Sequence, residues 1–297
     1  MKKKIIILVL CLLQISCKAK SNTYEHIIEP EYELFKVNQQ KAILVLFPCF
    51  PCDIEDTKSE FPIIDYATSQ GVSVLLMNYN QKLYLNESEF VALSDLFNSI
   101  FETQNVKTEN VHIGGFSSGG NVSLLWSNYL LKTHNKIVPK GVFIVDSPVD
   151  ILGLYYVAKK NISMNISSDS VEESNWIIQK LQSDLGNPND SINLYEKKAP
   201  FTLETKNIGN AKYLKNIKIR FYTEPDIDWW KETKNNEEKD LNSYFIQQFY
   251  KELKQDEFKK VSLVLTKNKG YRKNGDRHPH SWSIVDKDNL IKWILDN

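Results

Sequence analysis

The chain has 297 residues, 37 basic against 37 acidic side chains, and 42% hydrophobic residues with 25% charged. This balance excludes a disordered or fibrous chain, and a net charge of zero offers no basic footprint for nucleic acid. The length allows one large α/β domain or two smaller ones.

Lys2, Lys3 and Lys4 precede an apolar run from Ile5 to Leu13. Cations followed by about ten apolar residues have the form of a secretory signal. A membrane-spanning helix needs roughly 20 such residues, and this run is shorter. It ends in Leu13-Gln14-Ile15-Ser16-Cys17, which resembles a bacterial lipoprotein lipobox. The resemblance implies cleavage after Ser16 and lipid on Cys17, so that the membrane is a partner through that anchor. On this reading residues 1–16 are a signal peptide, and 17–40 hold the lipidated N-terminus, a polar tether and an edge strand. The protein then works as an exported lipoprotein on the periplasmic or cell-surface side. Secretion with Cys17 free, or an uncleaved anchor, remain open alternatives. Cleavage would remove three lysines and no acidic residue, leaving a mildly acidic chain.

The alternation in Tyr32–Val37 predicts the edge strand. Continuous apolar runs at Lys41–Phe47, Gly71–Met77, Asn110–Gly114, Lys140–Val145, Ile217–Tyr222 and Lys260–Leu265 predict strands buried on both faces. Between them, apolar residues recur at helical spacing: Phe90 to Ile100, Val122 to Leu130, and Leu290 to Ile294. Strands alternating with helices predict a mostly parallel sheet flanked by helices. The rhythm breaks between Val145 and Ile217, where a helix is expected around Val171–Leu185, followed by a turn at Gly186–Asp190. A structureless connection of that length is uncommon in a compact domain, so an inserted subdomain is expected at about 147–214. The charged stretch Lys231–Asp240 reads as a solvated helix start.

Gly115-Phe116-Ser117-Ser118-Gly119 matches G-x-S-x-G, entered from a buried-strand pattern and left by a helical one. That setting is a nucleophile elbow. The turn is so sharp that bulky side chains two residues either side of Ser117 would collide, hence Gly115 and Gly119, and the helix N-terminus favours an anion there. From Lys41 to Asn297 the chain resembles the α/β-hydrolase fold family. The resemblance implies chain order serine, acid, histidine, an ester-cleaving activity, and a helical cap in the inserted segment that selects substrate. The acid is expected a few residues past the strand Ile217–Tyr222, which favours Asp226, with Asp228 as the near alternative and Glu224 or Asp146 behind. His280-Ser281-Trp282 looks like the His-Ser-Trp seen after the last strand of esterases with this fold, which makes His280 the base and His278 its rival. His112 lies in a strand run and reads as a core residue.

These side chains would activate Ser117 for attack on an ester carbonyl, with two donors for the developing oxyanion. One donor is expected from the backbone N–H of Ser118. The other is expected from Phe50, in Phe47-Pro48-Cys49-Phe50-Pro51-Cys52, where related sequences carry a glycine-rich loop. Cys49 and Cys52 form a C-x-x-C that also fits a thiol–disulfide oxidoreductase; as a disulfide the pair would instead shape the oxyanion loop. A catalytically inactive hydrolase-fold protein serving as a surface binding lipoprotein is a third reading. Tyr155, Tyr156, Trp176, Trp229 and Trp230 are candidates to line an acyl or sugar pocket, plain packing being the simpler role. No cofactor is called for, and no metal-ligand cluster is apparent in the sequence. A small-molecule ester is the expected substrate, with a carbohydrate ester or a peptide as the open alternatives.

Overall fold

The computed structural model describes residues 24–79 and 82–296; the signal-like segment and Cys17 lie outside them. Eight strands form one sheet: β1 (Tyr24–Glu29), β2 (Tyr32–Val37), β3 (Ala42–Phe47), β4 (Val72–Met77), β5 (Val111–Phe116), β6 (Pro139–Val145), β7 (Lys218–Thr223) and β8 (Val261–Leu265). Their spatial order is β1-β2-β4-β3-β5-β6-β7-β8. The hairpin β1–β2 and the pair β2–β4 are antiparallel, and every other pairing is parallel.

The helices are α1 (Ile54–Glu60), α2 (Ile64–Ser69), α3 (Glu87–Thr103), α4 (Ser118–Lys132), α5 (Ile151–Met164), α6 (Ser168–Leu185), α7 (Pro188–Glu196), α8 (Ile227–Lys234), α9 (Asn242–Gln255) and α10 (Lys287–Leu295). Residues in β3 are buried throughout, and alternate side chains go to opposite faces. Ala42, Leu44 and Leu46 join Ala67 of α2 and Leu290, Ile291 and Ile294 of α10. Ile43 and Val45 join Phe97 and Ile100 of α3 and Trp126 of α4. Each such aliphatic side chain withdrawn from water contributes about 1.5–3 kcal/mol, which is why these runs settle in the middle of a covered sheet.

The run at Lys260–Leu265, expected to be buried on both faces, is the edge strand β8 and is mostly only half-buried. Two further expectations need correction. A polar tether was expected ahead of Tyr32–Val37 as the edge strand; in the structure Tyr24–Glu29 is itself the edge strand and β2 pairs between it and β4. Most β1 side chains face solvent, so the apolar alternation that marks a half-buried strand is absent from its sequence. The second correction adds helices to the insertion between β6 and β7. It holds α5 and α7 as well as the expected helix, which runs as α6. Tyr155, Ala158, Ile177, Leu181, Leu185 and Tyr195 give these helices an apolar cluster of their own, closed against Leu83 and Leu125.

Candidate active site

Ser117 sits at the C-terminal end of β5, a central strand paired on both sides by parallel neighbours. Its backbone adopts φ 54° and ψ −126°, a conformation that costs a non-glycine residue about 1–3 kcal/mol and is held here by the surrounding turn. The Ser117 N–H donates to the Val145 carbonyl at 2.9 Å, and the Ser117 carbonyl accepts from the Gly120 N–H at 3.0 Å. The flanking glycines are sterically required. A Cβ at Gly115 would lie 2.3 Å from the Gly119 carbonyl carbon, and one at Gly119 would lie 2.3 Å from the Pro48 carbonyl oxygen. Among residues 111–128 only Ser117 escapes full burial. The hydroxyl is therefore carried out of the core at the N-terminus of α4, whose first-turn N–H groups have no intrahelical acceptors.

His280 comes from the long loop after β8, and its ring rests against Phe116 at 4.5 Å between centroids. Its Nδ1 bonds the Oδ2 of Asp146 at 2.6 Å. Asp146 is the first residue after β6 and is 5% exposed. Its other carboxylate oxygen accepts from Thr223 Oγ1, its N–H donates to the Tyr222 carbonyl, and its carbonyl accepts from Asn242 Nδ2. A carboxylate so tied has no freedom to swing away from the imidazole.

The expectation that Asp226 orients His280 is therefore not met. Asp226 Oδ1 caps α8 through the Trp229 N–H at 3.2 Å, and its Oδ2 pairs with Arg277. Asp228 is exposed in the first turn of α8. Glu224 is buried and fully engaged: it accepts from Thr266 Oγ1 at 2.8 Å, from the N–H groups of Lys269 and Gly270 at 2.9 and 3.2 Å, and from Arg277. Glu224 thus fastens the loop that delivers His280. His278, the rival base, packs beside Trp229 and Trp230, and its ring centre is 6.3 Å from that of His280. Burial first, then the charge of Arg272, holds His278 down at about 3, so it is neutral across the ordinary pH range.

Ser118 and Phe50 are brought together by a bond other than the one expected. The Phe50 N–H donates to Ser118 Oγ at 2.8 Å, which occupies the amide that was expected to serve the oxyanion. The backbone N–H of Ser118 remains at the opening of α4 beside Ser117. Cys49 and Cys52 form a disulfide with their Cα atoms 4.9 Å apart, just before Asp53 caps α1. Cys49 is 5% exposed, an unfavourable setting for a thiol that must be attacked. The Phe50 ring stacks on Trp176 of α6 at 3.9 Å, joining the loop to the inserted helices.

Ser117, Asp146 and His280 all line one cavity of about 410 Å³, walled by the Cys49–Cys52 loop, by α5 and α6, and by Trp230 and His278. Of the aromatic candidates, Trp176 and Trp230 line it, whereas Tyr155 packs on Tyr195 and Tyr156 faces outward. Among the described residues no group of three or more His, Cys, Asp or Glu could hold a metal ion, and no helix is long and apolar enough to cross a membrane.

No protein-family model matches the sequence, and no curated protein matches it at a significant level. Solved structures do match. A hormone-sensitive lipase from a metagenome library aligns over 93% of this chain and 85% of its own, with TM-score 0.54 at 12% identity. An esterase from Rhizomucor miehei aligns over 91% and 82%, with TM-score 0.54 at 12% identity. A carboxyl esterase from the fungus Tuber melanosporum aligns over 83% and 77%, with TM-score 0.51 at 13% identity. At such identities the likeness speaks to architecture, and together with the strand order it establishes that the chain adopts the α/β-hydrolase fold.

Proposed function

We propose that the protein is a serine hydrolase of carboxylic esters, with Ser117 as nucleophile, His280 as base and Asp146 as the acid that orients it. The observation that supports this most is the bond from Asp146 to His280 Nδ1, which leaves Nε2 as the ring nitrogen available to a serine in the same cavity. Ser117 Oγ attacks the ester carbonyl as His280 takes its proton. The imidazolium so formed is stabilised by the Asp146 carboxylate. The tetrahedral oxyanion is met by the Ser118 N–H at the positive end of α4, a donor worth about 3 kcal/mol. Collapse expels the alcohol with the proton from His280, and water, activated the same way, releases the acid from the acyl-enzyme.

A fluorophosphonate probe and short-chain p-nitrophenyl esters test the reading. The protein should be labelled and should turn over ester, and Ser117→Ala should abolish both. Labelling that survives Ser117→Ala, or a protein inert to both reagents, would overturn it. The helices α5–α7 are the proposed substrate-selecting cap. The segment ending at Cys17 is the proposed export and lipid-attachment signal; incorporation of labelled palmitate that persists in Cys17→Ala would refute it.

A further inference from the structure

The loop between β8 and His280 carries two arginines with opposite surroundings. Arg277 is saturated: it pairs with Glu224 and Asp226 and donates to the Gly270 carbonyl. Arg272 lies half-buried on the wall of the cavity that holds Ser117 and His280. Among the described residues its guanidinium makes no ion pair and no hydrogen bond. It lies over the face of Phe116, 5.9 Å from the ring centre, on which His280 also rests, and its charge acts on His278 beside it.

The backbone fixes Arg272 in this place. Its N–H donates to the Asp276 carbonyl and its carbonyl accepts from the Gly275 N–H, both at 2.9 Å, forming a tight turn. Glu60, the acid whose charge most favours the guanidinium, accepts from the next residue, through the Lys273 N–H at 3.1 Å. Three carboxylates on the cavity wall are engaged elsewhere: Asp146 by His280, Glu224 by Arg277, Asp240 by Lys160. Asp169 and Glu173 stand on α6 and form no ion pair with Arg272. Lys234 adds a second cation to the wall.

A guanidinium fork half withdrawn from water with no anion bonded to it gains from one that arrives, and its planar geometry suits a carboxylate. We propose that Arg272 forms a carboxylate-binding subsite beside Ser117, which directs the enzyme toward esters that carry a second, ionised carboxylate. This rests on the esterase reading above and specifies its substrate class. The substrate's ester group meets Ser117 while its free carboxylate meets Arg272, with Lys234 adding longer-range attraction.

Two measurements test it. In the first, a chain-length series of monomethyl dicarboxylates is compared with matching methyl alkanoates. At the best length the ratio of kcat/KM, charged over neutral, should be at least about tenfold in the wild type, as expected for a hydrogen bond to a charged group. It should fall to about one in Arg272→Met and lie between in Arg272→Lys, which keeps the charge without the fork. An unchanged ratio in Arg272→Met, or a wild type that favours the neutral esters, would overturn the subsite. The second measurement needs no turnover. Monomethyl dicarboxylate binding is followed by calorimetry on Ser117→Ala and on Ser117→Ala/Arg272→Met, with folding checked by thermal melting. A loss of about tenfold or more in affinity is expected, and equal affinity would overturn the proposal. Arg272-dependent binding by a protein whose Ser117 takes no fluorophosphonate would sustain the subsite and sink the hydrolase reading, so the two failures are distinct.

Discussion

Replacing Asp146 by Asn separates the proposed acid, the carboxylate bonded to His280, from the one expected by position. Asn keeps the shape and can still accept from Thr223, but it removes the negative charge 2.6 Å from His280 Nδ1. Two unit charges about 4 Å apart at an effective dielectric near 20 attract by about 4 kcal/mol. That attraction is present only once His280 has taken the serine's proton, so its loss falls on the transition state, about 10³-fold in kcal-to-rate terms. KM should change little. Asp226→Asn is the control. Asp226 is 26% exposed and Arg277, which it shares with Glu224, is 19% exposed, so the pair is worth about 0.2–1 kcal/mol of stability. Its kcat should stay within about threefold of wild type. The assay is steady-state hydrolysis of a p-nitrophenyl ester, with urea unfolding to show that both variants fold. Wild-type rates from Asp146→Asn, or a collapse confined to Asp226→Asn, would refute the assignment.

Three further outcomes follow from other parts of the fold. Burial first, and the charge of Lys218 second, push His112 down to about 3 from 6.5, so between those values the unfolded chain binds a proton that the folded one refuses. The stability this contributes is full above pH 6.5 and is lost as pH falls toward 3, at up to about 1.4 kcal/mol per pH unit. His112→Leu should flatten that slope in urea titrations between neutral and mildly acidic pH, and an identical slope would count against it. Cys49→Ser/Cys52→Ser should lose about 2 kcal/mol of stability, the loop-entropy value for so short a ring. It should also lower kcat/KM by loosening Phe50; full activity would show that the loop needs no such tie. Gly119→Ala places a Cβ 2.3 Å from the Pro48 oxygen and 2.5 Å from the Phe47 oxygen. Backbone must move at the elbow, costing about 1–3 kcal/mol, and probe labelling of Ser117 should fall well beyond the loss in folded protein.

Much of this was legible in the sequence because it depends on burial and sterics. The apolar runs that became β3 to β7 must be covered on both faces, and G-x-S-x-G constrains a turn that few other residues tolerate. What was not legible depends on choices between similar partners. β1 carries little apolar pattern because most of it faces water. The Phe50 amide could not be known to bond Ser118 Oγ, since serine hydroxyls accept from whatever donor the fold presents. Arg272 and Arg277 are indistinguishable by type and spacing, and only the geometry shows one saturated and the other not.

The carboxylate bonded to His280 shows why position alone misleads. β6 and β7 are adjacent parallel strands with Val145 opposite Tyr222, so Asp146 and Thr223 emerge side by side at the C-terminal edge. Either strand end can bring a carboxylate to a histidine arriving from the loop beyond β8. The decision passes to whichever charged groups compete for those carboxylates. Arg277, three residues before His280, captures both Glu224 and Asp226, and the amides of Lys269 and Gly270 complete the hold on Glu224. The β7 carboxylates then serve as the anchor of the histidine loop, while Asp146, bonded to Thr223 and facing no arginine or lysine within ion-pair distance among the described residues, is left for the imidazole. The pairing of Arg277 with both β7 carboxylates thus accompanies the pairing of His280 with Asp146 from β6, a feature that a motif ending at the strand does not encode.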